Sequence, residues 1–120
     1  MQEIFFFDEG ATPLPQSEVH IERIMVKPSP DGARLHTNIT LSPFMEKPNL
    51  AINVTDQDGV ILVTAEVLEP ISITTELTLH IRPKNPEHIH TLTVNLYYEE
   101  NQNQDTKSID FYPLDKTNTP

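Results

Sequence analysis

The sequence predicts an all-β fold, a seven-stranded antiparallel β-sandwich built from two sheets. The first observation is a period-two alternation of apolar and polar residues, clearest in residues 72–81. Such alternation is typical of a strand with one buried face and one solvated face. The second observation is a count of eleven prolines against three glycines. Most of these prolines stand where the alternation stops, as expected for a residue that cannot donate to a sheet ladder.

The first predicted strand covers residues 19–27. Its apolar phase changes between Ile21 and Ile24, which predicts a β-bulge at that point. Residues 28–32, with two prolines and a glycine, predict a turn, because proline presets the bend and glycine permits a positive φ. The second predicted strand follows over residues 33–41.

The third predicted strand points Leu50, Ile52 and Val54 inward and ends at the sequence Asp-Gln-Asp-Gly of residues 56–59. An Asp-Gly pair between two apolar runs is typical of a hairpin. The fourth predicted strand, residues 60–68, begins with a nearly continuous apolar run. That run predicts a strand buried on both faces.

Three more predicted strands complete the sandwich, over residues 71–81, 89–98 and 106–112. The phase of the alternation places Leu79 in the core from the fifth strand. It places Val94 and Leu96 there from the sixth strand.

The chain of 120 residues suits one domain. We divide it into an N-terminal arm of residues 1–16, a β-sandwich domain of residues 17–114 and a disordered tail of residues 115–120. The arm contains one short predicted strand, residues 4–7, followed by a glycine and two prolines that act as a hinge.

The number and spacing of the strands resemble those of the immunoglobulin-like and fibronectin type III-like β-sandwich superfamily, over about residues 17–114. The resemblance implies two packed antiparallel sheets. The chain lacks the tryptophan and the paired cysteines of antibody domains, and Tyr97 and Tyr98 stand late in the sixth strand rather than near its start. A resemblance at the level of architecture does not imply a function.

Composition narrows the classes of partner. The formal net charge is −10, from 18 acidic and 8 basic residues, and such a chain repels phosphate backbones and anionic lipid. We therefore predict neither a nucleic acid nor a membrane as partner. The absence of cysteine, of a signal-peptide pattern and of a bilayer-length apolar stretch predicts a cytoplasmic protein.

No catalytic, metal or cofactor motif is evident, so we predict neither an enzyme nor a cofactor. His88 and His90 form an H-x-H pair that would share one face of a strand, and with His80 they could bind zinc or copper. In an immunoglobulin-like sandwich the fifth and sixth strands lie in different sheets. His80 would then point away from the pair, and these three residues are only weak metal candidates.

Two groups of aromatic residues are candidate binding elements. Three consecutive phenylalanines in the arm cannot all be buried by one strand, so the arm could pair with its own sheet edge or with that of another molecule. The partner-binding candidates are therefore Phe5, Phe6 and Phe7. Three tyrosines could form a strip that stacks on a sugar ring, although one core tyrosine beside one surface tyrosine explains the same residues. These ligand-stacking candidates are Tyr97, Tyr98 and Tyr112.

The complete strand framework without a chemical constellation predicts a non-catalytic module that acts through protein–protein contacts, as an accessory or scaffold domain. Its partner would be another protein or a second copy engaged through the N-terminal arm. A small-ligand or carbohydrate-binding module is the alternative. A histidine-based metal-binding protein or hydrolase is the third hypothesis.

Overall fold

A computed structural model describes residues 12–99 and 102–114. Within them lie seven β-strands: β1 Ile21–Pro28, β2 Arg34–Leu41, β3 Asn49–Thr55, β4 Ile61–Leu68, β5 Thr74–His80, β6 His90–Tyr97 and β7 Asn103–Phe111. A three-residue 3-10 helix, Gln16–Glu18, precedes β1. The all-β prediction is confirmed, and the predicted strand bounds differ from these by at most three residues.

The strands form two antiparallel sheets, one in the order β1-β2-β5 and the other in the order β4-β3-β6-β7. An immunoglobulin constant domain places its fourth strand in the sheet of the first two. Here β4 pairs with β3 instead, so a sheet of four strands faces a sheet of three. The predicted two-sheet, immunoglobulin-like sandwich is confirmed.

The core lies between the sheets and is made by every second residue of the central strands. Leu50, Ile52 and Val54 of β3 stand opposite buried residues of β6. The predicted core residues of β5 and β6 are all buried, namely Leu79, Val94 and Leu96. Period-two alternation therefore predicted the facing of both central strands correctly.

One side of the sandwich is closed by contacts between β1 and β7. The pairing of β1 with β2 shifts register between Ile21 and Arg23, which confirms the predicted bulge. At that point the Ile21 N–H donates a hydrogen bond of 2.7 Å to Asp105 Oδ2 on β7. Gln104 Nε2 donates to the Val19 carbonyl, also at 2.7 Å. Side chains of β7 thus satisfy backbone groups that β2 leaves unpaired, as buried backbone requires.

The turn between β1 and β2 is held by short-range hydrogen bonds. Asp31 Oδ1 accepts from Ser29 Oγ at 2.6 Å and from the Ala33 N–H at 3.0 Å. These bonds stabilise the ionised form and so hold the pKa of the Asp31 carboxyl below its usual value. The bond from Ser29 has the larger effect. Gly32 has φ of +73°, and a Cβ there would lie 3.0 Å from Leu114. Glycine is therefore required for both backbone and packing reasons.

The hairpin between β3 and β4 follows the predicted Asp-Gly pattern. Asp56 Oδ1 accepts from the N–H groups of Asp58 and Val60 at 2.9 Å each. Gly59 takes a positive φ of 84°, a conformation that glycine adopts without steric cost. The hairpin interpretation of these residues is confirmed.

The prediction for the fourth strand is wrong. Among the described strands, β4 is the edge strand of its sheet and pairs only with β3. Of the seven strands in the described chain, it alone contains no fully buried residue. Its long apolar run arises because this edge strand has apolar residues on both of its faces. A central strand that is buried on both faces has the same composition.

The predicted strand at residues 4–7, with most of the arm, and the predicted tail at residues 115–120 lie outside the described residues. The last part of the arm is included. There Leu14 forms a parallel bridge with Phe44 of the β2–β3 connection. No helix among the described residues is long and apolar enough to cross a membrane.

Candidate functional site

The candidate site is the free edge of β4 together with the residues that flank it, Val60 and Ile71, and we call it the open edge. Four large apolar side chains here are 56–65% exposed: Val60, Ile61, Leu68 and Ile71. Single exposed apolar residues are ordinary, but several gathered on one element mark an interaction site or an aggregation hazard.

The inner face of β4 is incompletely covered. Val63, Ala65 and Val67 pair with Val54, Ile52 and Leu50, which are themselves buried. All three β4 residues pack on the core yet stay half-buried. A four-stranded sheet over a three-stranded one leaves an edge strand partly overhanging, which explains this exposure. The open edge therefore presents apolar surface beside backbone groups that no other described strand pairs.

The only charged residue of β4 is Glu66. The Tyr97 hydroxyl on β6 donates a hydrogen bond of 3.0 Å to Glu66 Oε2. Glu66 stands opposite Ala51 of β3, whose small side chain leaves room for this contact across the sheet. The Glu66 carboxylate is thus held over its own sheet rather than beyond the open edge.

Two shallow hollows lie on the outer faces of the sheets. One, of about 450 Å³, adjoins the open edge and is lined by Ala51, Asn53, Thr64 and Glu66. The other, of about 400 Å³, lies on the three-stranded sheet and is lined by Met25, Lys27, His36, Asn38, Glu76 and Thr78. Both are open to solvent and neither is lined by a phenylalanine or tyrosine ring.

The structure separates the three histidines that were weak metal candidates. His80 ends β5 in one sheet, and His90 begins β6 in the other. His88 precedes β6 and is exposed, whereas His90 is buried, so the two do not share one face of a strand. No group of three His, Cys, Asp or Glu side chains among the described residues could hold a metal ion.

His90 is instead a packed residue. It is fully buried, and its ring lies 5.9 Å from that of Phe111 at an angle of 40°. Nδ1 lies 2.8 Å from the His88 carbonyl oxygen, and a carbonyl can only accept, so Nδ1 carries the proton. The buried Nε2 has no hydrogen-bond partner among the described residues.

The three tyrosines occupy different environments. Tyr97 is buried on the outer side of its sheet, whereas Tyr112 is 50% exposed just beyond β7. The Tyr98 hydroxyl donates to the Glu46 carbonyl at 2.8 Å. Partial burial, with a smaller effect of the Glu46 charge, raises the pKa of Tyr98 to about 12. Stacking of these rings on a ligand stays a prediction.

The phenylalanines of the arm, Phe5, Phe6 and Phe7, lie outside the described residues. The open edge was missed in the sequence. Its signal was present, since residues 61–68 contain no proline and a single charge. A strand buried on both faces has the same composition, and only the pairing of β4 tells the two apart.

No protein-family model matches the chain, and no curated protein matches it in sequence. Its fold is similar to parts of larger enzymes. A glycosyl hydrolase family 2 member from Bacteroides cellulosilyticus is 17% identical with a TM-score of 0.59, over 78% of this chain and 14% of that one. A β-glucuronidase from Bifidobacterium dentium is 12% identical with a TM-score of 0.59, over 78% of this chain and 18% of that one.

A β-glucuronidase from Parabacteroides merdae is also similar, with 12% identity, a TM-score of 0.58 and coverage of 79% of this chain and 14% of that one. The chain thus spans less than a fifth of the length of these solved structures. At such identity the likeness extends to the fold alone. It agrees with an immunoglobulin-like β-sandwich domain.

Proposed function

We propose that the chain is a non-catalytic β-sandwich module that acts through protein–protein contacts, as an accessory or scaffold domain. The observation that carries the proposal is the open edge. Within the described part of the chain, its backbone groups pair with no second strand, its inner side chains are apolar and half-buried, and its flanks are apolar and exposed. These groups suit the addition of a strand, in which the backbone supplies affinity and alternate side chains supply specificity.

The three other edge strands differ from β4. The edge strand β5 also has a single acidic or basic charge, Glu76, but all its exposed positions are polar. Free edges are usually protected by charges, prolines, bulges or covering elements. β1 carries Glu22, Arg23 and Lys27 together with a bulge, and β7 carries Asp105, Lys107 and Asp110. β4 has only Glu66, which Tyr97 holds over the sheet. An edge with these properties suits a partner strand that covers it.

The accessory role is supported by the structural comparison. In each similar enzyme the matching part is a small fraction of a long chain. Domains of this architecture therefore occur beside others, and a module that docks through one edge fits such use. The open edge offers backbone and apolar groups rather than an acid–base pair, which is why we propose contact and not catalysis.

Site-specific photo-crosslinking tests the proposal. A photo-reactive phenylalanine analogue replaces Leu68 at the open edge, and the same analogue at Ser108 on β7 is the matched control. We expect position 68 to give a discrete cross-linked protein, identified by mass spectrometry and lost on addition of excess unlabelled chain. Equal products from both positions, or none from position 68, would argue against a contact module that uses this edge.

A carbohydrate-binding module is the second candidate, and the glycosidases among the similar structures favour it. Tyr112 is the ring most available for stacking on a sugar. A glycan array should then give signals that Tyr112→Ala removes and that Tyr97→Phe, which changes a buried ring, leaves in place. An array without any signal would end this candidate.

A further inference from the structure

We propose that the occupant of the open edge is a second copy of this chain, with β4 pairing antiparallel to β4 about a two-fold axis at Ala65. This inference rests on the proposed function and names its partner. The two sheets would join into one continuous sheet of eight strands. A two-fold contact of this kind is self-complementary, because the same edge is presented by both copies.

The regular part of the strand limits the choice of register. The β3–β4 pairing is irregular between Val54 and Thr55, where Thr55 meets Ile61. Leu62 is the extra residue of this irregularity, so the regular part of β4 runs from Val63 to Leu68. Axes at Ala65 and Glu66 each overlap five of these six residues, more than an axis at any other residue. An axis at Glu66 would oppose two carboxylates, so the axis at Ala65 is the one without a like-charged pair.

The side chains fit the same register. Val63 of each copy would stand opposite Val67 of the other on the inner face, with Ala65 opposite Ala65. These are the residues that the three-stranded sheet leaves half-buried. Pairing would remove further apolar surface from water, which is the main favourable contribution to such association.

The one charged residue of the strand supports the same axis. With the axis at Ala65, Glu66 stands opposite Thr64 of the second copy, which is uncharged. An axis at Glu66 would place two carboxylates directly opposite each other, an unfavourable pair. The Tyr97 hydroxyl already draws Glu66 over its own sheet at 3.0 Å, so pairing requires no movement of this carboxylate.

The net charge opposes association at long range. Two copies of charge −10 repel each other. Screening by salt shortens this repulsion to about 8 Å at physiological ionic strength. The apolar and backbone contacts of the edge are not weakened by salt, so pairing should strengthen as salt is added.

Sedimentation velocity of the full chain, over a range of protein and salt concentrations, tests the inference. We expect a reversible monomer–dimer equilibrium with a dissociation constant that falls between low and physiological salt. Thr64→Glu places two like-charged pairs in the interface and should raise that constant about tenfold. Thr64→Lys places an ammonium group of each copy opposite Glu66 of the other and should lower it.

Thr64 is exposed, and circular dichroism melts check that both variants fold. Ser108→Glu on β7 makes a similar change at the opposite edge and should leave the dimer unaffected. Equal weakening by both Thr64 variants would reject the axis at Ala65. Loss of the dimer on deletion of residues 1–9, with the Thr64 variants unaffected, would assign it to the N-terminal segment instead.

A chain that stays monomeric at every concentration and salt would overturn the inference. Cross-linking from position 68 to a different protein in that case would leave the proposed function standing. Monomer behaviour without any cross-link would remove both.

Discussion

β4 and β7 are the two edges of one sheet, and they are built differently. β7 lies against β1. Its Asp105 accepts a hydrogen bond from the Ile21 N–H, and its Gln104 donates one to the Val19 carbonyl just before β1. β4 has no such neighbour among the described strands and presents Ile61 and Leu68 to solvent. One edge is sealed by polar contacts within the chain, while the other is left apolar.

The difference indicates where the stability of the domain resides. The central strands β3 and β6 contribute side chains that are almost fully buried, such as Leu50 and Leu96. Their neighbours on β4 are only half-buried. β4 can therefore be altered at its surface with little effect on folding, which suits a strand whose role is contact.

The largest expected effect compares two leucines that differ in burial along β5, an edge strand of the other sheet. Leu79 is buried there and Leu77, on the same face, is half-buried. Leu79→Ala should lower the free energy of unfolding by roughly 2–5 kcal/mol, since it loses transfer energy and leaves a cavity. Leu77→Ala should cost roughly 1–2 kcal/mol, because less apolar area is lost. Urea denaturation measures both free energies, and equal costs would contradict the difference in burial between the two leucines.

The next prediction concerns the hydrogen bond between β7 and β1. Asp105→Ala deprives the buried Ile21 N–H of its acceptor and should cost about 1–3 kcal/mol in the free energy of unfolding. Lys107→Ala on the same strand is the control and should stay within about 0.5 kcal/mol. If the two variants unfold at the same urea concentration, the contact between β1 and β7 does not stabilise the domain.

The matching change at the open edge should have almost no effect on folding. Leu68→Lys replaces an exposed residue and should alter the free energy of unfolding by no more than about 0.5 kcal/mol. The same variant should lose association at the edge, seen as a lower sedimentation coefficient at high protein concentration. A loss of stability well beyond that range would place Leu68 in the fold rather than in a contact.

The contrast between the edges also shows which features of the fold could be predicted from the sequence. Alternation and proline placement predicted the strands, the bulge near Ile21 and the hairpin at Asp56, because these depend on local geometry. The place of β4 depends on which strands pair across long separations. An apolar run such as residues 60–68 does not record that choice. The contact of Tyr97 with Glu66 was missed for the same reason, since the two residues are 31 positions apart in sequence.

The smallest effect concerns Asp31, in the turn that leads out of β1. Its pKa is lowered, first by the Ser29 hydroxyl and then by the Ala33 N–H. A carboxyl with a folded-state pKa below its unfolded value near 3.8 stabilises the fold above that value. The contribution is lost as the pH falls through the lowered folded-state pKa.

Asp31→Asn should therefore lower the melting temperature slightly at neutral pH and cease to do so in strong acid. Asp58→Asn, in the hairpin that leads into β4, makes the same change of charge and is the matched control. Thermal melts followed by circular dichroism, from neutral pH down to strong acid, would measure both. A difference between wild type and Asp31→Asn that persists in strong acid would mean that the turn depends on the shape of this side chain and not on its charge.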